Sequence, residues 1–121
     1  MADRLLFIGW DEVVRGREER AVEVFNESVG LYGRMQQEGR IESFDAVFLT
    51  PTGSGLQGYF ALHGSEEQIG AVRIDPEFMR TSVAAGLIVD DFRIIDGWTG
   101  QGIADQMAMF QEAIAKVPQY S

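Results

Sequence analysis

The chain has 121 residues, 45% of them hydrophobic, with 10 Lys+Arg against 19 Asp+Glu and a formal net charge of −9. That length suits one domain, read here as residues 1–121, and the scattered basic residues form no cationic stripe of the kind that binds nucleic acid or an anionic membrane surface. Without cysteine there is no disulfide framework, thiolate nucleophile or Cys-ligated metal.

The N-terminal stretch MADRLLFIGWDEVV has neither the apolar core nor the cleavage site of a signal peptide, and no segment approaches the roughly 20 apolar residues of a membrane helix. The reading is a soluble, cytoplasmic protein. The run Leu5 to Trp10 predicts a first strand over 4–14 with both faces apolar. A helix follows over 17–38, on which Val22, Phe25, Val29, Tyr32 and Met35 recur at three- and four-residue steps. Val24 and Leu31 fall on a weaker second face, and Gly30 and Gly33 inside the helix point to close backbone packing.

A second strand, 41–50, alternates Phe44, Ala46 and Phe48 against Asp45, Val47 and Leu49. The loop TPTGSG lacks the lysine and following helix of a phosphate-binding loop, so it reads as a hairpin turn into a strand over 56–63. That strand sets Leu56, Gly58, Phe60 and Leu62 against Gln57, Tyr59, Ala61 and His63. Ser65 and Gln68 form a capping box, Asp75 and Pro76 restart the helix within 65–85, and Gly86 stops it. The last strand is predicted over 87–98, and a further helix over 101–117 carries Ile103, Met107, Phe110, Ile114 and Val117. This stripe must be buried on its own subunit or on a partner.

Right-handed crossovers close the order β, α, β, β, α, β into an α+β sandwich: a four-stranded antiparallel sheet, order 4-1-3-2, with its helices on one face. Leu6, Ile8, Trp10, Val47, Tyr59 and Ile95 put more bulk on the strands than one open face shows to water, which calls for a second copy over it. In topology and element length, over about residues 4–98, the chain resembles the dimeric α+β barrel superfamily of ferredoxin-like fold. The resemblance implies a homodimer with two sheets face to face. Relatives of this shape include antibiotic-biosynthesis-type monooxygenases, muconolactone-isomerase-like enzymes and haem-handling proteins. No catalytic motif of theirs is matched here.

Candidate chemistry centres on His63, the chain's one histidine, with Tyr59 beside it as catalytic candidates. Imidazole titrates near neutrality and a phenol can orient a carbonyl. Trp10, Gln57, Arg93 and Trp98 are the candidate ligand-binding residues. A lone histidine at a strand end, before a glycine and a helix cap, is more often a structural or solvent-facing residue. It is also a single ligand for haem, and Glu66 and Glu67 behind it are explained by the helix dipole, so no cofactor or metal is assigned.

Three readings follow. One is a module binding a small apolar or aromatic molecule between sheet and helices. A second is a cofactor-independent enzyme of monooxygenase or isomerase type, and a third is a purely structural or assembly dimer. A cleft with His63 and Tyr59 pointing in favours the enzyme, a cleft with His63 outside favours the binder, and the absence of a cleft favours assembly.

Overall fold

Alternation of large apolar with smaller or polar residues forces the strands to present two unlike faces, and one of them is covered by helices. The computed structural model describes residues 2–118; Met1 and residues 119–121 lie outside it. The elements are β1 (Arg4–Trp10), α1 (Glu18–Gln37), β2 (Ser43–Phe48), β3 (Gly58–Gly64), α2 (Glu66–Arg73), α3 (Pro76–Gly86), β4 (Arg93–Trp98) and α4 (Gln101–Ile114). The four strands form an antiparallel sheet in the order β2-β3-β1-β4, the expected arrangement read from its other edge.

The helix-side face carries Leu6 and Ile8 of β1 and Phe60 and Leu62 of β3, all nearly inaccessible to solvent. They pack with Leu31, Tyr32 and Met35 of α1, Ile69 and Val72 of α2, and Phe78 of α3. Leu6, Ile8 and Trp10 therefore belong to the covered face, a correction to their expected place in the bulk of the open one. The open face is made by Leu5, Phe7 and Gly9, by Val47, by Tyr59, Ala61 and His63, and by Arg93, Ile95 and Gly97, as the strand register requires.

β1 and β4 are shorter than their apolar patterns predict because their inner ends leave the sheet and pair with each other instead. Val13 bridges Val89, and the amides of Asp11 and Val14 donate to the carbonyls of Asp90 and Ile88, each at 2.9 Å. The TPTGSG segment is a hairpin connection: Phe48 pairs with Gly58, the Leu49 amide donates to Gln57 O at 2.8 Å, and Gly53 and Gly55 take positive φ.

Helix α1 is rotated relative to the expected stripe. Val24, Ser28, Leu31, Tyr32 and Met35 are buried, Phe25 and Val29 are partly so, and Val22 is 61% exposed. Its glycines do not mark a close helix approach, since a Cβ on Gly33 would meet nothing within 4 Å. The α2–α3 break falls where Pro76 removes a backbone donor. The capping box of Ser65 with Gln68 opens α2, and the Asp75 carboxylate accepts from the Phe78 amide at 2.9 Å to open α3.

Asp75 also takes a 2.7 Å hydrogen bond from Arg40 just after α1, and Arg34 of α1 reaches Glu77 at 2.7 Å, so the two helices are tied at this end. The Phe78 amide, with help from Arg40, holds the Asp75 carboxyl below the usual carboxylate range. A lowered folded-state pKa means that its stabilisation is complete above the unfolded-state pKa and is lost as pH falls through the folded-state value. Asp75→Ala is expected to cost about 1 kcal/mol at neutral pH in urea unfolding, with the deficit vanishing in acid. Equal stability at neutral pH would show that the cap contributes nothing.

α4 stands apart. Gly102 is buried because it lies against the Asp3 carbonyl and Trp98, where a Cβ would collide. Beyond it Ile103, Met107, Phe110, Ile114 and Val117 are all exposed on this chain, Phe110 by 59%. The stripe is not buried on its own subunit.

Candidate functional site

Between the covered sheet face and the helices α1 and α3 lies a cleft of about 440 Å³. Its floor is aromatic. Trp10 packs on Phe60 with ring centroids 5.5 Å apart and meets Phe25 of α1 edge-on at 6.4 Å, while Phe25 stacks on Phe60 at 5.2 Å and approaches Phe48 at 5.0 Å. The indole lies where it does because residue 58 is glycine: a Cβ there would sit 2.6 Å from the Trp10 ring and 2.9 Å from Val47 O. Opposite this floor, α3 contributes the small residues Thr81, Ser82 and Ala85. Large rings on one wall and small side chains on the other leave a space that neither fills. The end wall is Val13, Ile88 and Val89, the paired segment that leaves the sheet.

Polar groups in the lining are few. Ser28 donates its hydroxyl hydrogen to Val24 O at 2.8 Å. Glu18 lies on the rim, its carboxylate accepting from the Gly16 amide at 2.9 and 3.0 Å, which lowers its pKa from the ordinary value. Tyr32, the deepest polar side chain, is 2% exposed, and burial pushes its phenol pKa upward, so the hydroxyl stays neutral and protonated.

Of the residues expected to form a site, Trp10 lines this cleft. Tyr59, His63 and Arg93 do not: the register puts them on the opposite, open face of the sheet, where Tyr59 and Arg93 flank Gly9 and His63 sits beside Leu5. There Tyr59 packs on Phe7 with centroids 5.1 Å apart, and His63 Nε2 lies 2.9 Å from Asp45 Oδ2. The Arg93 guanidinium donates to Gly55 O at 2.6 Å and so ties β4 to the hairpin loop. The Gln57 backbone joins the loop to Trp10 O at 2.8 Å, and the residue is not in the cleft lining. Trp98 is at the far end of the sheet, with the Arg4 guanidinium 5.9 Å from its ring centroid.

Phe25, Ser28, Tyr32, Phe48, Ala85 and Phe92 line the cleft without having been read as site residues. The signal for them was present as Phe25 and Tyr32 one heptad apart on a helix, facing an aromatic strand, with a run of small residues on a later helix. Among the described residues no three His, Asp or Glu gather where they could hold a metal ion, and no helix is long and apolar enough to cross a membrane.

No protein-family model matches the chain, and no curated protein matches it in sequence. Solved structures do match in shape. A dimeric protein from Bacteroides fragilis with a ferredoxin-like fold superposes with TM-score 0.58 at 9% identity, covering 79% of this chain and 96% of its own. A dimeric ferredoxin-like protein from Jannaschia sp. gives TM-score 0.59 at 12% identity, covering 80% and 98%. The fold is ferredoxin-like. Also similar in shape is SnoaB, a cofactor-independent oxygenase from Streptomyces nogalater, with TM-score 0.50 at 15% identity over 82% of this chain and 93% of that one. At these identities the likeness extends to the fold alone.

Proposed function

We propose that this protein is a homodimer that binds a small apolar or aromatic molecule in the cleft of each subunit. The observation that carries this is the cleft itself: an aromatic-floored space of about 440 Å³ between sheet and helices, with His63 and Tyr59 on the other side of the sheet. Ligand pockets of this size are mostly apolar with a few polar groups that orient the ligand. Among the described residues no histidine, lysine or arginine lines it, so binding is better supported than acid–base turnover there. The dimer is supported by the apolar open face and by the dimeric state given for two of the similar structures. In that arrangement the outward Ile103, Met107 and Phe110 of α4 offer the partner a second apolar surface.

The test is a fluorescence titration with N-phenyl-1-naphthylamine, a neutral aromatic probe that brightens in apolar sites. Wild type is expected to bind it saturably, Ala85→Trp to lose binding by filling the cleft, and His63→Ala to bind as wild type does. Binding that survives Ala85→Trp but is lost in His63→Ala overturns the proposal. It would move the site to the open face, where the His63–Asp45 pair and Tyr59 are placed for general acid–base chemistry of the kind a cofactor-independent enzyme needs.

A further inference from the structure

The most deeply buried polar side chain of the cleft lining is a phenol. Tyr32 lines the cleft from α1, wedged among Phe44, Phe60 and Phe78 with ring centroids at 5.9, 5.1 and 6.4 Å. Among the described residues nothing hydrogen-bonds its hydroxyl. Nor is that hydroxyl sealed in the core: among the described residues the fully buried side-chain polar atoms without partners are Asp3 Oδ1 and Thr99 Oγ1. It therefore keeps an accessible edge in a residue that is otherwise 2% exposed, and the space this residue lines is the cleft. A donor held so deep is costly to leave unsatisfied.

The neighbouring polar groups narrow what can satisfy it. The Ser28 hydrogen is already committed to Val24 O, and Thr81, Ser82 and the Trp10 indole, which also line the cleft, are only half-buried, so Tyr32 is the most deeply buried donor left without a partner, and what satisfies it must be an acceptor. Among the described residues no cationic side chain lines the cleft, Glu18 stands at its mouth, and the chain carries a formal net charge of −9. An anionic ligand would lose hydration there with no cation to meet it.

Resting on the reading of the cleft as a ligand site, we infer that Tyr32 is its specificity-determining residue, donating a hydrogen bond to an uncharged oxygen acceptor. The cleft then selects neutral aromatic carbonyl compounds over hydrocarbons of the same shape and over the corresponding carboxylates.

Three probes differing by one feature test this by displacement of N-phenyl-1-naphthylamine: benzophenone, diphenylmethane and 4-benzoylbenzoate. In wild type, benzophenone is expected to bind about fivefold more tightly than diphenylmethane, the difference one net hydrogen bond makes, and 4-benzoylbenzoate more weakly than benzophenone. Tyr32→Phe, which keeps the ring, should bring the benzophenone-to-diphenylmethane ratio close to one while leaving diphenylmethane affinity unchanged. A ratio near one in wild type, or one preserved in Tyr32→Phe, overturns the inference while the cleft reading stands. If neither neutral probe binds, the cleft reading falls and the inference with it. A readout needing no variant is the carbonyl ¹³C shift of benzophenone, expected downfield in the complex relative to its value in hydrocarbon solvent. A shift in the complex equal to the hydrocarbon value also overturns the inference.

Discussion

Replacing Ile95 with Asp is expected to convert the proposed dimer into a monomer or an insoluble chain. Ile95 projects from β4 on the open face, 52% exposed on the single chain and paired in register with Phe7. Leu5, Phe7, Val47 and Tyr59 share that face with it. Burying such a surface contributes about 25 cal/mol per Å², and a stable interface takes roughly 800 Å² from each partner, so closing the face offsets the entropy of association. A carboxylate at its centre must be buried unpaired or keep the sheets apart, at a cost of several kcal/mol. Size-exclusion chromatography with light scattering reads the outcome as the mass of one 13.5 kDa chain where wild type is expected to give twice that. A variant that remains a dimer of unchanged stability places the interface elsewhere and removes the face-to-face pairing of sheets from the proposal.

Phe60→Ala should cost about 3–5 kcal/mol of folding stability, the largest loss expected from a single truncation. Phe60 sits in the middle of β3, 4% exposed, with Trp10, Phe25 and Tyr32 all packed on its ring at centroid distances of 5.5, 5.2 and 5.1 Å. It is part of the core and the floor of the cleft at once. Its loss removes the support that holds Trp10 and Phe25 in place, so N-phenyl-1-naphthylamine affinity should fall together with the urea midpoint. A cost below about 1 kcal/mol would mean that the surrounding rings collapse into the vacancy and that the aromatic floor is not rigid.

The two predictions address opposite faces of one sheet, and that division was legible in the sequence. In β3, Gly58, Phe60 and Leu62 against Tyr59, Ala61 and His63 is a period-two pattern, and the register keeps it: the first set faces the helices and the second faces away. The hairpin at TPTGSG, the capping box at Ser65 and the Asp75–Pro76 start of α3 were equally readable, because each depends on backbone chemistry within a few residues. Strand ends were not. Val13 and Val89 look like continuations of β1 and β4, and they do pair, but with each other outside the sheet.

The rotation of α1 and the choice of side chains that line the cleft were decided by tertiary structure alone. Apolar residues on α1 form two overlapping stripes, and only the shape of the sheet beneath selects Val24, Ser28 and Leu31 over Val22. His63, Tyr59, Gln57, Arg93 and Trp98 were singled out because their side chains carry chemistry, and chemistry can be read from a letter. A void cannot, because it is set by what fails to fill it. Gly58 yields room to the Trp10 indole, and Thr81, Ser82 and Ala85 are too small to reach the rings opposite. Local sequence thus determined the elements, their order and which residues of one strand share a face, while the grouping of Leu6, Ile8 and Trp10 with Phe60 instead of Tyr59 needed the strand register. Which helix residues meet them, and the space left between, depends on packing across residues distant in the chain, for which periodicity carries no signal.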